Sequence, residues 1–162
     1  MGDVDDAIRR GELIRLGPPI GSATQKDLRD LIKACYSNDV ANVYPRLRKD
    51  LIDATARTRK GEHVNALYIA IKKGNLDMVN CLIGNSCNVN IIYENGITPI
   101  ILAVSCRFHP IALVLAESGA DVYAKDDYGR SCIDLLHSDQ EEIMLHEAAR
   151  IYKLRIADEY EQ

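Results

Sequence analysis

Four residue pairs, Asn65 and Thr98, Val89 and Val122, Gly96 and Gly129, and Ile100 and Ile133, are each separated by 33 positions. Around them, NALYIAIKKGNLDMVNCLIGNSCNVN at 65–90 and TPIILAVSCRFHPIALVLAESGADV at 98–122 each hold two apolar runs parted by a short polar break. A period of this length is too short for a domain. Each copy must be a supersecondary piece that hides its apolar face against its neighbours. Leu67, Ile69 and Ala70, and then Ile100, Leu102 and Ala103, put a stripe on one side of a first helix. Leu76, Val79, Leu82 and Ile83, and then Ile111, Val114 and Leu115, do so for a second. Gly74 supplies the left-handed turn that ends the first helix of its unit.

The pattern extends both ways. Upstream, DLIKACYSNDVANV at 30–43 fits the same template, with Leu31 and Ala34 matching Leu67 and Ala70 at an offset of 36, so three extra residues sit in the following loop. Arg46 falls where a core leucine is expected. Downstream, Asp126 to Ser131 opens a fourth unit with Ser131, Ile133 and Leu135 in phase. Ser138-x-x-Glu141 then reads as a capping box, opening a helical pattern that runs to about Ala157.

These residues resemble the ankyrin-repeat family. Thr98-Pro99 is similar to the family's Thr-Pro helix start, where the hydroxyl caps free backbone N–H groups and Pro suits the first turn. Gly119-Ala120-Asp121-Val122 resembles its exit loop, Val122 plugging the core and Asp121 tying the turn, and Asn88-Val89-Asn90 repeats that arrangement. The resemblance spans residues 27–145. Tyr68, Ile101 and Asp134 replace the family's His, and Arg107 stands where the preceding unit has Gly74. The implied architecture is an all-α repeat solenoid of helix–turn–helix units joined by β-hairpin-like loops. Its repeats cover about 27–59, 60–92, 93–125 and 126–145, with a divergent N-terminal cap and a long C-terminal capping helix to about 157, all within a domain at 23–162. Residues 1–22 are an N-terminal arm, in which Val4, Ile8, Leu13 and Ile14 could form one short helix before Gly17-Pro18-Pro19.

Composition narrows the function. With no Trp and one Phe, the core must be aliphatic. Five cysteines, most of them within apolar helical patterns, read as free thiols of a reducing compartment. MGDVDDAIRR is acidic where a secretion signal would be basic and apolar, and the longest near-apolar run, Ile97 to Val104, is too short to cross a bilayer. A cytoplasmic protein is expected, with the nucleus also open to it and no membrane segment. Cys81 and Cys87 lack the short spacing of a zinc hook, and His63, His109, His137 and His146 are scattered over different units, so neither metal nor cofactor is expected. Cys106 and His109 are the best nucleophile–base pair on offer, three residues apart across a helix break. Asp126 and Asp127 fall at a solvated finger tip where nothing would shift their titration. The chain is expected not to be an enzyme.

A stacked array of such units leaves a concave side made of finger tips and first-helix ends. By phase, the partner-binding residues are Tyr36 in the first unit, Arg59, Lys60, Val64, Lys72 and Lys73 in the second, Glu94, Asn95, Ile97 and Ser105 in the third, and Asp127, Tyr128 and Arg130 in the fourth. Tyr36 and Tyr128 bring large contact area, and Arg130 can fork to a carboxylate. Charge adds direction: residues 23–75 carry 11 Lys/Arg against 6 Asp/Glu, residues 76–162 carry 6 against 14. A partner with the opposite polarity would be steered into register. Nucleic acid is disfavoured, because no aromatic interleaving accompanies the basic end. The resemblance implies a non-catalytic protein-binding scaffold. Small stand-alone members are similar to inhibitors that wrap a kinase and to inhibitor-like proteins, viral ones included, that engage Rel/NF-kappaB-type factors. The alternative is an adaptor or assembly component, monomer or weak dimer, in which Ile143, Ala148, Ile151 and Tyr152 of the C-terminal helix dock another chain.

Overall fold

The computed structural model describes residues 2–10, 12, 14–15, 24–58 and 61–160. The chain divides into two compact units, residues 1–87 and 88–162. In the first, helix α1 (Gly2–Arg10) is followed by strand β1 (Ile14–Arg15), α2 (Gln25–Tyr36), the short α3 (Val40–Val43) and a 3₁₀ turn at Tyr44–Arg46. A hairpin of β2 (Ala56–Arg57) and β3 (His63–Val64) leads into α4 (Ala66–Lys72) and α5 (Leu76–Gly84). β2 lies between β1 and β3 in an antiparallel sheet, with Arg15 opposite Ala56 and Ala56 opposite Val64.

α2 starts where the sequence supplies a cap. Thr24 accepts from the Asp27 N–H at 3.2 Å, and the Asp27 carboxylate accepts from the Thr24 N–H at 2.7 Å, which satisfies two helix-end donors reciprocally. Leu28, Leu31, Ile32 and Cys35 then fall on one face and are buried, and α2 packs on α4, in which Leu67 and Ala70 are also buried. Each fully buried Leu or Ile contributes about 1.5–3 kcal/mol relative to exposure. The arm expected over residues 1–22 takes a different form. Val4, Ala7 and Ile8 of α1 are buried and α1 packs on α2. The expected single helix stops at Arg10, Ile14 lies in β1, and Leu13 and the Gly17-Pro18-Pro19 breaker lie outside the described residues.

The second unit holds α6 (Pro99–Ser105), α7 (His109–Glu117), a 3₁₀ turn at Ile133–Leu135 and α8 (Asp139–Tyr160). Every residue of α6 from Pro99 to Val104 is buried, as are Ile111, Ala112, Leu115 and Ala116 of α7. The fourth unit's first helix shrinks to the single 3₁₀ turn. Ser131 and Asp134 cap it, with the Asp134 carboxylate accepting from both the Ser131 N–H and hydroxyl. α8 covers α7: Leu145 and Ala148 are buried, Arg155 Nη2 donates to the Glu117 carbonyl at 2.9 Å, and Tyr152 lies where a side chain at Gly119 would stand. Ser138 caps α8 by accepting from the Gln140 N–H. The Glu141 side chain is drawn to His109 Nε2, 3.5 Å away.

The period reappears in hydrogen bonds. Asn75 and Gly74 donate to the Ala70 and Ile71 carbonyls, and Phe108 and Arg107 donate to Ala103 and Val104, the same left-handed helix stop 33 residues apart. Asp39 and Asn38 make it to Ala34 and Cys35 at the end of α2. Gly74, Arg107 and Asn38 all have positive φ, at 66°, 61° and 56°. Thr98 departs from expectation. Its hydroxyl caps nothing in α6; it is buried without a hydrogen-bond partner among the described residues, while Asn65 in the preceding unit accepts from the Tyr68 N–H at 2.8 Å.

Candidate functional site: fingers and first-helix ends

The finger of the fourth repeat is built around one carboxylate. Asp126 Oδ1 accepts from the N–H groups of Tyr128 and Arg130, and its Oδ2 takes both Nε and Nη2 of Arg130 at 3.0 and 2.8 Å. A backbone bond from the Asp126 N–H to the Arg130 carbonyl closes the hairpin, and Gly129 turns it with φ of 76°. Asp126 is therefore buried. Burial raises its pKa, but the Arg130 guanidinium and the two backbone donors outweigh that and hold it below the ordinary carboxylate range. The sequence-based view of Asp126 as a solvated tip residue is corrected on this point: it is the clamp of the finger. Arg130 was expected to fork to a partner's carboxylate, and that fork is occupied by Asp126. Its guanidinium also lies 5.0 Å from the Tyr128 ring centroid. Tyr128 is 70% exposed on this braced tip.

Asp127 is exposed, and its N–H donates to the Asn95 carbonyl at 3.0 Å, joining this finger to the one before. There Glu94 and Asn95 are exposed, Asn95 takes φ of 60°, and the Tyr93 N–H bonds the Ile97 carbonyl in the register that Asp126 and Arg130 repeat 33 residues later. Ile97 is half-buried and Ser105 is exposed at the end of α6. The loops behind are tied as well. Asn90 donates to the Gly119 carbonyl and accepts from the Asp121 N–H, and Asn88 and Asp121 each accept from the N–H two residues on.

In the first unit, Tyr36, Lys72 and Lys73 line a hollow together with Val4, Asp5 and Glu62. Lys73 Nζ stands 3.8 Å from the Tyr36 ring centroid and 3.5 Å from Asp5 Oδ1, and Arg9 Nη2 donates to the Tyr36 hydroxyl at 3.4 Å. That bond to Tyr36 raises the Arg9 pKa further. Asp5 and Arg9 are members of this cluster that the sequence reading missed. The Val4–Ala7–Ile8 spacing is the signal that α1 packs, but nothing local says onto what. Val64 is corrected outright: expected on the exposed face, it is fully buried opposite Ala56. Arg59 and Lys60 lie outside the described residues.

The cysteines are free, and burial pushes the thiols of Cys35, Cys87 and Cys132 up to about 12, which keeps them protonated at neutral pH. His109 is turned to Glu141 across α7 and α8. No group of three or more His, Cys, Asp or Glu gathers as a metal site among the described residues, and no described helix is long and apolar enough to cross a membrane.

What the geometry offers is a set of braced tips and helix ends bearing aromatic and charged groups. Comparison with known proteins agrees with that architecture. The profile for ankyrin repeats, in three copies, matches residues 29–126, more than half of the chain. An ankyrin repeat protein of Acanthamoeba polyphaga mimivirus is 29% identical over 96 residues, which cover 59% of this chain and 12% of that protein. The chain thus spans about an eighth of that relative's length. The crystal structure of the ankyrin repeat domain of Bcl-3, described as a unique member of the IkappaB protein family, superposes with a TM-score of 0.65 at 24% identity. That match covers 72% of this chain and 50% of the other and establishes likeness of fold. With the 33-residue period, the repeated left-handed stops and the matched profile in agreement, this chain belongs to the ankyrin-repeat family.

Proposed function

We propose that the protein binds a protein partner through its finger tips and first-helix ends, on the concave side of the repeat array, and thereby sequesters or blocks it. The observation that carries this reading is the fourth-repeat finger. A 70%-exposed tyrosine is braced by a buried aspartate and by its own guanidinium neighbour. An aromatic held rigid in water loses little conformational freedom on binding, so its contact area converts well into affinity. The Tyr36–Lys73 cluster supports a second contact of positive polarity, and Glu94 and Asp127 support a third that is acidic. Family membership supports an interaction module over catalysis. The partner we favour is a signalling protein, a Rel/NF-kappaB-type factor or a kinase, met in the cytoplasm or nucleus. The likeness of fold to the Bcl-3 domain is compatible with the first of these.

The test is affinity capture with the wild-type chain, Tyr128→Ala/Glu94→Ala and Lys72→Glu/Lys73→Glu, followed by calorimetry of the recovered partner and of a purified Rel homology domain. Tyr128→Ala is expected to weaken binding by about tenfold or more, as interface tyrosines do. Partners that survive both double substitutions at full affinity would place the interface elsewhere.

A further inference from the structure

α8 buries one face against α7 and leaves the opposite face in water. Leu145 and Ala148 are 2% and 3% exposed, whereas Ile143, Met144, Ile151 and Leu154 are 60%, 45%, 48% and 54% exposed. These four are not scattered. Ile143, Glu147, Arg150 and Leu154 follow one another at steps of four, three and four, the spacing of a coiled-coil seam, with Met144 and Ile151 flanking on one side. The seam is apolar at its ends and charged at its middle, Glu147 preceding Arg150, and these two side chains stand 3.3 Å apart, both exposed.

That order selects an occupant. If a second α8 lies antiparallel with its midpoint between Ala148 and Ala149, Ile143 meets Leu154, Met144 comes beside Ile151, and Glu147 meets Arg150. All of these contacts are made twice by the two-fold symmetry. A parallel pair would set Glu147 on Glu147 and Arg150 on Arg150, which like-charge repulsion opposes. We propose that this protein self-associates through α8, as an antiparallel two-helix seam between two copies of the chain. One helix face per copy falls short of the roughly 1,600 Å² of a standard interface, so the dimer is weak and concentration-dependent. The inference is independent of the finger-tip reading, because it uses none of those residues.

Analytical ultracentrifugation of the full chain over about a hundredfold concentration range tests it. The wild type should rise from the 18.1 kDa chain mass toward twice that value. Glu147→Arg and Arg150→Glu, each alone, place like charges across the seam and should weaken association by about tenfold or more. An equimolar mixture of the two variants should recover it as a heterodimer, which a merely misfolded variant would not do, and the Glu147→Arg/Arg150→Glu exchange should restore the homodimer. A wild type that stays monomeric throughout, or single variants that dimerise as well as the wild type, would overturn the proposal.

Discussion

Arg107 sits at a position built for glycine, and replacing it should stabilise the protein. Its φ of 61° matches the 66° of Gly74 one repeat earlier, and both residues donate backwards across three positions to close the same helix stop. A left-handed residue with a Cβ is strained by about 1–2 kcal/mol. Arg107→Gly relieves that strain but enlarges the freedom of the unfolded chain, which costs about 0.5–1 kcal/mol. The Arg107 side chain is exposed and makes no hydrogen bond or ion pair with any described residue, so little else is lost. The balance is a gain of about 0.5–1 kcal/mol. With a urea slope of about 2 kcal/mol/M, the unfolding midpoint followed by far-ultraviolet circular dichroism should rise by about 0.3–0.5 M at unchanged slope. Gly74→Ala, which forces a side chain into the same conformation, should move the midpoint the other way by about the same amount. An unchanged or lowered midpoint for Arg107→Gly would refute the reasoning, since the left-handed turn would then not be where the strain lies.

Gly119 has φ of 92°, and a Cβ there would stand 2.4 Å from Cζ of Tyr152, so Gly119→Ala should destabilise the chain by about 1–2 kcal/mol from backbone strain, with an added cost from the displaced ring. A double-mutant cycle with Tyr152→Ala isolates the ring's share: the paired change should cost less than the two separate changes summed, and strict additivity would mean that ring and backbone do not compete. Asp27, Asp39, Asp126 and Asp134 all have folded-state pKa values below the ordinary one, through bonds from Thr24, Asn42, Arg130 and Ser131. Their contribution is full above the unfolded-state pKa near 3.8 and is lost as pH falls through the lower folded-state values. Stability should therefore drop on acidification through that window, and Asp126→Asn, which keeps an acceptor but no charge, should flatten the drop in a series of urea titrations. A slope identical to wild type would count against the Asp126 clamp.

What the sequence discloses and what it hides divide along physical lines. Stripes such as Leu31, Leu67 and Ile100 are legible because burial in every unit makes the same demand, and apolar residues answer it at a readable spacing. The turn positions are less legible, because the fold's demand is for a dihedral angle rather than a residue. Asn38, Arg107 and Ser86 adopt the left-handed conformation that Gly74 and Gly119 take at equivalent places, so glycine alone undercounts the period. Val64 is misplaced by repeat phase and recovered by strand alternation: in a hairpin where Ala56 faces inward, its partner Val64 must face inward too, leaving His63 and Arg57 toward water. The cluster of Asp5, Arg9, Tyr36 and Lys73 is illegible for a different reason. Its members come from α1, the end of α2 and the residue that caps α4, and the packing of both α1 and α4 on α2 brings them within reach of one another. Asp126 lies between these cases. An Asp opening a turn, with Gly three residues on and Arg four on, has the composition of a self-bonded finger, because its carboxylate can take the turn's backbone donors and the guanidinium together. Paired carboxylates at a tip thus divide only after the donors of the same turn are counted, and here that count commits Asp126 to the structure while Asp127 stays exposed.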